Sequence, residues 1–476
     1  MSSLYVILLV VIAAALMGVS LFRASLVKTK ADYLVAGRSL PASVLVLTLL
    51  TSWIGAGSLF AGAENAYRNG FAALWQAGGG WLGLLLIYFI APRARKFAQF
   101  TLPDLLEARY NQTARVLGTI AILFAYVGIT SYQFKGGGNV LHLIFPETVT
   151  PELGTYIIAV FVIVSTALAG MSSVAYMDVA IGSLVTVICI ISAPMLFMKA
   201  GGWAGLHAAL PETHFEILGN LTLLRALEFL VPTMLLMLGN QVMYQKFFSA
   251  KSEKDARISV IGWILGTVLL ETLIVAIAVF GSALYPTGEV AKQPYEIIPY
   301  TARHGLPAFM GALLLSAVFA KVISTASNYL FSPATNLVND VFVRYIAPGA
   351  SNKRVLIISR LAVVVLGCWA LYQAIYAQSI LQKMLWAYTI YSAALTPVVL
   401  AAFYSKRVTA WGAVAAIGAG TVVTLGWDVP GVKDVFPQVI AQRDAIFPAL
   451  IAAVAAMIVV SLFTARPSAD QLAKFS

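Results

Sequence analysis

The chain has 476 residues, of which 60% are hydrophobic and only 11% charged, with a formal net charge of +11. Soluble domains carry about 25% charged residues, so a soluble fold is excluded. The positive charge is spread over short loops between apolar runs, which does not make a nucleic-acid-binding face.

Runs of about 20 apolar residues, each long enough to cross a hydrocarbon core about 30 Å thick, recur along the whole length. The first, 3–22, has no basic residues before it and no small-residue cleavage site, so it reads as a retained helix and not as a signal peptide. Further spans are expected at 43–65, 72–92, 113–143, 152–170, 173–199, 222–244, 258–284, 306–335, 355–373, 379–404, 409–427 and 446–465, which makes thirteen. One set of loops holds nineteen Lys and Arg, among them Lys28, Arg93, Arg95, Arg109, Lys246, Lys251, Arg344, Lys406 and Lys474. The alternate set holds five: Arg68, Lys292, Arg303, Lys433 and Arg443. The positive-inside rule then puts the N-terminus outside and the C-terminus in the cytoplasm. Cys189 and Cys368 lie in apolar runs, so no disulfide framework is implied. No Walker motif appears, and no loop is large enough for a nucleotide-binding domain.

An ionisable residue at a helix centre opposes membrane insertion by roughly 2.5–3.5 kcal/mol, which marks it as a functional candidate. Here these are Glu64, Lys135, Asp178, Glu271 and Lys321. Arg115, Lys199, Arg225, Glu228, Arg360 and Lys383 lie nearer span ends, where a side chain can reach water. The second span reads TSWIGAGSLFAGAENAYRNG (51–70). Its glycines suit a helix that unwinds at mid-depth and frees carbonyls to line a cavity, and they suit close packing of small residues equally well. In the ninth span, AKVISTASN (320–328) places Ser324, Thr325, Ser327 and Asn328 beside Lys321. Their oxygens suit a small hard cation, although single hydroxyls commonly bond back to their own helix. Asp178 reads as an ion-pair partner, a cation ligand or a proton carrier. Lys135, before Gly136, reads as structural. The four histidines form no metal-spaced cluster, so an enzyme is not expected.

The stretches YLVAGRSLP (33–41), SWIGAGSLFAG (52–62), AYMD (175–178), GNQVMYQKFFSAK (239–251) and ISTASNYLFSPATNLVND (323–340) together resemble the sodium/solute symporter family. The resemblance implies an all-α polytopic membrane protein with a LeuT-type five-plus-five inverted repeat and a site near the bilayer midplane. The ten-helix transport core would be 43–404, with repeats at about 43–199 and 222–404. An extra helix and loop, 1–42, would precede it, and two helices with a short tail, 405–476, would follow. The family's main sodium site maps onto the carbonyls of Thr51, Ile54 and Lys321 and the hydroxyls of Ser324 and Thr325. The second sodium site of some members maps onto Asp178, Ser324, Ser327 and Asn328. Solute-binding positions map onto Gly55, Ser58, Gln76, Asn240 and Gln241, the last two lining the inner exit. Two departures stand out. Lys321 occupies a position that is usually small, so its ammonium either repels or replaces the ion, or is neutralised by Asp178. A buried lysine changes protonation readily, which makes proton coupling through Lys321 and Asp178 the alternative. Ser58 stands where sugar carriers have a longer polar side chain, which favours an amino acid or organic acid over a hexose. The expected function is sodium-coupled symport of a small organic solute in the inner (plasma) membrane, surrounded by lipid and without an obligate protein partner. A transporter-like solute sensor is a distant alternative, since only RPSADQLAKFS follows the last span.

Overall fold

The computed structural model describes residues 2–24, 29–97, 101–168, 171–376, 379–468 and 471–472. The loop cations Lys28 and Lys474 lie outside the described residues. Among these residues the chain is all-helical, apart from an isolated bridge between Leu40 and Ala250. Among the described residues, ten helices are long and apolar enough to cross a membrane. Ten of the thirteen expected spans are thus matched by helices of spanning length; at 3–22, 43–65 and 409–427 the apolar helices are shorter, Leu4–Val19, Ala42–Trp53 and Ala410–Gly426.

The helices that position the site are α1 (Ala42–Trp53), α2 (Leu74–Phe97), α3 (Gln112–Ile144), α4 (Pro151–Leu168), α5 (Met171–Lys199), α6 (Leu223–Gly239), α7 (Gln241–Ser249), α8 (Glu253–Leu284), α9 (Ala308–Asn336) and α10 (Ile380–Ala394). Helix α9 is the central pillar. It packs against α3, α4 and α5, and every residue from Leu314 to Asn336 is buried. A helix enclosed on all sides has no solvent face, so its hydroxyls and its lysine must find partners inside the protein.

Two helix breaks shape the interior. Helix α1 stops at Trp53, and Ile54 turns extended at φ −82°, ψ 121°. Winding resumes through a π-helical turn, Gly57–Gly62, and the helix Ala63–Asn69. Of the two readings left open for this stretch, unwinding is observed, and close packing comes with it. A Cβ on Gly55 would lie 2.7 Å from Thr325 Cγ2 and 2.8 Å from Gln133 Nε2.

The second break lies at Asn240, whose extended ψ of 112° separates α6 from α7. Its side chain caps α7 by accepting from the Val242 amide at 3.0 Å. The span expected to end near residue 244 therefore continues to Ser249. This corrects the place of Lys246. Counted above as a loop cation, it is fully buried, because the added helix turns its side chain inward towards a carboxylate. Arg115 is corrected in the same sense. Expected to reach water, it is buried against Asp104, Glu107 and Asp340.

Candidate ion and solute site

Unwinding at Ile54 removes the acceptors' usual partners, and buried backbone groups must be paired elsewhere. The Thr325 hydroxyl lies 2.9 Å from the Ile54 carbonyl oxygen, 3.3 Å from that of Thr51 and 3.0 Å from that of Lys321. The freed Ala56 amide donates to Gln133 Oε1 at 2.8 Å. Thr51, Ile54, Lys321 and Thr325 thus converge on one point between the break and α9. The Lys321 ammonium joins them, donating to the Thr51 carbonyl.

Ser324 does not join this group. Its hydroxyl donates to Asp178 Oδ1. One helical turn on, Asn328 Nδ2 reaches both Asp178 oxygens at 3.3 Å. From α1, Thr48 Oγ1 donates to Asp178 Oδ2 at 2.5 Å and Ser52 lies at 3.4 Å. Lys246 completes the set, with Nζ 2.9 Å from Asp178 Oδ2 and 2.9 Å from the Thr48 carbonyl, and bonded also to the Ser52 hydroxyl. Ser327 lies close by and lines a small pocket with Asp178, Ser324, Ser165 and Thr166. The buried Ser327 and Thr166 hydroxyls have no protein partner.

Two ammonium groups and one carboxylate therefore sit together, all fully buried. Sequence reasoning missed Lys246, Thr48, Ser52 and Thr166. A lysine three residues before the span end looks like any interfacial lysine unless the break at Asn240 is known. Thr48 and Ser52, four residues apart on one helix face, were a legible signal.

The expected solute positions separate. Ser58 and Gln76 line one small cavity of about 20 Å³, together with Glu271 of α8. Gly55 packs on Thr325 and Gln133. Asn240 and Gln241 lie outside that cavity. Asn240 bonds the Tyr126 and Tyr329 hydroxyls at 2.8 and 2.7 Å. Gln241 bonds Ser332 at 2.8 Å and Asn336 at 2.5 Å. The rings of Tyr126 and Tyr391 stack at 5.2 Å beside them. Of the other intramembrane ionisable residues, Glu64 pairs with Arg68 at 3.1 Å, and Lys135 lines a separate pocket with Glu152.

The sodium:solute symporter family matches residues 33–420. The osmoregulated proline transporter of Bacillus subtilis is 25% identical over 92% of this chain and 90% of its own length. A sodium/proline symporter of Staphylococcus aureus is 26% identical over 92% and 88%. Among solved structures, a sodium-coupled sialic acid symporter in a substrate-bound, outward-open state superposes with a TM-score of 0.82 at 17% identity, covering 98% of each chain. Mhp1, a nucleobase-cation-symport-1 family transporter, superposes with a TM-score of 0.59 at 11% identity, covering 94% of this chain and 99% of its own.

Proposed function

Because this chain belongs to the sodium:solute symporter family, and is thereby a transporter and not an enzyme, we propose that it couples sodium entry to uptake of a small organic solute. An amino acid or organic acid is favoured over a hexose. The proline transport named for its Bacillus and Staphylococcus relatives supports that choice, as does the short side chain of Ser58 in the cavity wall.

The observation that carries the reading is the oxygen cluster bridging α1, α5 and α9. The carbonyls of Thr51, Ile54 and Lys321 and the Thr325 hydroxyl face one point. Asp178, Ser324, Ser327 and Asn328 surround a second, where two hydroxyls have unused bonding capacity. A cation held by both α9 and the broken helix draws them together. That pre-organises the adjoining solute cavity, and the coupling works equally in reverse. Alternating access then follows from rocking of one repeat against the other around a fixed site. Support for five-plus-five repeats comes from the breaks at Ile54 and Asn240, early in each half of the core. The thirteen-span count rests on the apolar runs and the inner membrane, with lipid around the chain and no obligate protein partner, on that helical build; the orientation, with the N-terminus outside and the C-terminus cytoplasmic, rests on loop charge. That asymmetry persists when Lys246 is removed from the count.

One observation favours a second reading. The Lys321 ammonium already occupies the Thr51 carbonyl, so it stands in for sodium at the main site, and proton exchange at Lys321 and Asp178 replaces sodium coupling. Thermal unfolding of the purified protein, titrated with NaCl against KCl at constant ionic strength, separates the two. Sodium coupling predicts stabilisation that rises with the logarithm of sodium concentration, about 2.7 kcal/mol at a hundredfold excess over Kd, and that Thr325→Ala removes. A wild type indifferent to sodium, with sodium stabilisation gained in Lys321→Ala, establishes the second reading and overturns the first.

A further inference from the structure

Glu271 is a carboxylate without a counter-charge in the middle of the membrane. It sits near the centre of the 32-residue helix α8 and is 5% exposed. Trp53 Nε1 donates to Oε1 at 2.9 Å, and Trp81 Nε1 donates to Oε2 at 2.9 Å. The Ser58 hydroxyl bonds the same group. Two of these three donors are indole N–H groups that can only donate, an arrangement that suits an ionised carboxylate and fixes its orientation. Yet no lysine, arginine or histidine among the described residues forms an ion pair with it. Asp178, by contrast, is matched by Lys246 at 2.9 Å. An unmatched charge at this depth is unfavourable by several kcal/mol unless something neutralises it.

The missing cation has a place to stand. Glu271 forms part of the wall of the cavity that also holds Ser58 and Gln76. Gln76 Oε1 faces this region buried and without a partner, so a second acceptor awaits a donor. The rest of the wall is small or aliphatic: Gly62, Ala73, Ala77, Ile274 and Val275.

We propose that Glu271 binds the positively charged nitrogen of the transported solute, so that the chain carries an amine or ammonium compound and not a simple organic acid or sugar. The inference rests on the transport reading above and narrows it. The solute's charge completes the ion pair that the protein lacks, and Trp53 and Trp81 are positioning residues that hold the carboxylate towards the cavity. Trp53, as the last residue of the helix before the break, also links solute binding to the carbonyls that face the cation.

The test uses the full chain, purified in detergent and in proteoliposomes. The probes are matched: L-proline, tetrahydrofuran-2-carboxylate (the same ring with oxygen replacing nitrogen), pyrrolidine, glycine betaine and glucose. Amine and ammonium probes are expected to shift the melting temperature and the oxygen isostere and glucose are not. Glu271→Gln is expected to weaken the amine response roughly 10- to 100-fold, the loss of one charge-assisted contact. Equal responses to proline and tetrahydrofuran-2-carboxylate, or no response to any nitrogen probe, overturn the proposal in the wild type, independently of whether the variant folds. Undiminished amine binding by a folded Glu271→Gln also overturns it. Amine binding without sodium- or proton-driven uptake keeps the Glu271 site and sinks the transport reading. Uptake confined to the isostere or glucose does the reverse.

Discussion

At the scale of single residues, the Lys246–Asp178 pair decides whether the interior tolerates its charges. Both side chains are fully buried and 2.9 Å apart, with Thr48, Ser52, Ser324 and Asn328 bonding one or both of them. Removing one member of such a pair strands the other and typically destabilises by about 3–5 kcal/mol, whereas removing both is much milder. Lys246→Met is accordingly expected to lower stability strongly and Asp178→Asn combined with Lys246→Met to recover most of it. A double-mutant cycle of unfolding in detergent measures the coupling. If the two losses simply add, the pair is not the unit described. The single variant also leaves Asp178 with its oxygens facing an unfilled positive role. Sodium should then stabilise Lys246→Met more than the wild type in the same titration.

At the scale of elements, the break after Trp53 matters more than the helices it separates. It exists because small residues let the chain depart from helical geometry where neighbours can bond the released groups: Thr325 and Lys321 on the carbonyls, Gln133 on the Ala56 amide. Gly55 is the position with least room. An added Cβ meets Thr325 Cγ2 at 2.7 Å and Oγ1 at 2.8 Å, and a β-branched side chain in a buried helix has little rotameric freedom to yield. Gly55→Ala should therefore displace Thr325 from the carbonyls. A loss of about 1–3 kcal/mol is expected, together with weakened cation-dependent stabilisation. A variant with normal sodium response would show that Thr325 is not held by this contact.

At the scale of the whole molecule, one end of the bundle is held by charges drawn from three places. Arg115, near the start of α3, lies 2.6 Å from Asp104 and 2.5 Å from Asp340, and bonds Glu107. Arg344 reaches Glu107 from the other side at 2.5 Å. The cluster fastens the short helix Leu102–Arg109 to the far end of the α9 span. Burial alone raises the pKa of Glu107, but the Arg115 and Arg344 guanidiniums outweigh it and hold the group below its ordinary value, near 4.3 for a free glutamate. With the folded value depressed, the folded state takes up this proton less readily than the unfolded chain. The contribution is complete above the ordinary value and disappears as pH falls through the folded one. Glu107→Gln should flatten that acid limb of the stability profile and lower stability near neutral pH. Thermal unfolding of both proteins between pH 3 and 7, a range set by about 4.3 for glutamate, checks it. Parallel curves would show that Glu107 does not hold this cluster together.

Some of this was written in the sequence. Long continuous apolar runs fix an all-helical membrane protein, because of the two structures that satisfy their backbone in lipid a barrel needs short alternating strands and only a helix uses such runs. The glycines of 51–62 mark a weak point in one helix, and the hydroxyls of 324–328 mark polar oxygens in another. Each of these is a property of one segment. What the tertiary structure decided are the meetings between segments. Ser324 turned to Asp178 and not to the Thr325 group. Lys246, read as a loop cation, crossed 68 positions of sequence to pair with Asp178. Glu271 found Trp53 and Trp81 at separations of 218 and 190 residues, and no ion-pair partner among the described residues. Hydropathy says that a helix is buried but not how it is rotated about its axis. A helix break changes that rotation for every residue after it, and rotation determines which charges meet.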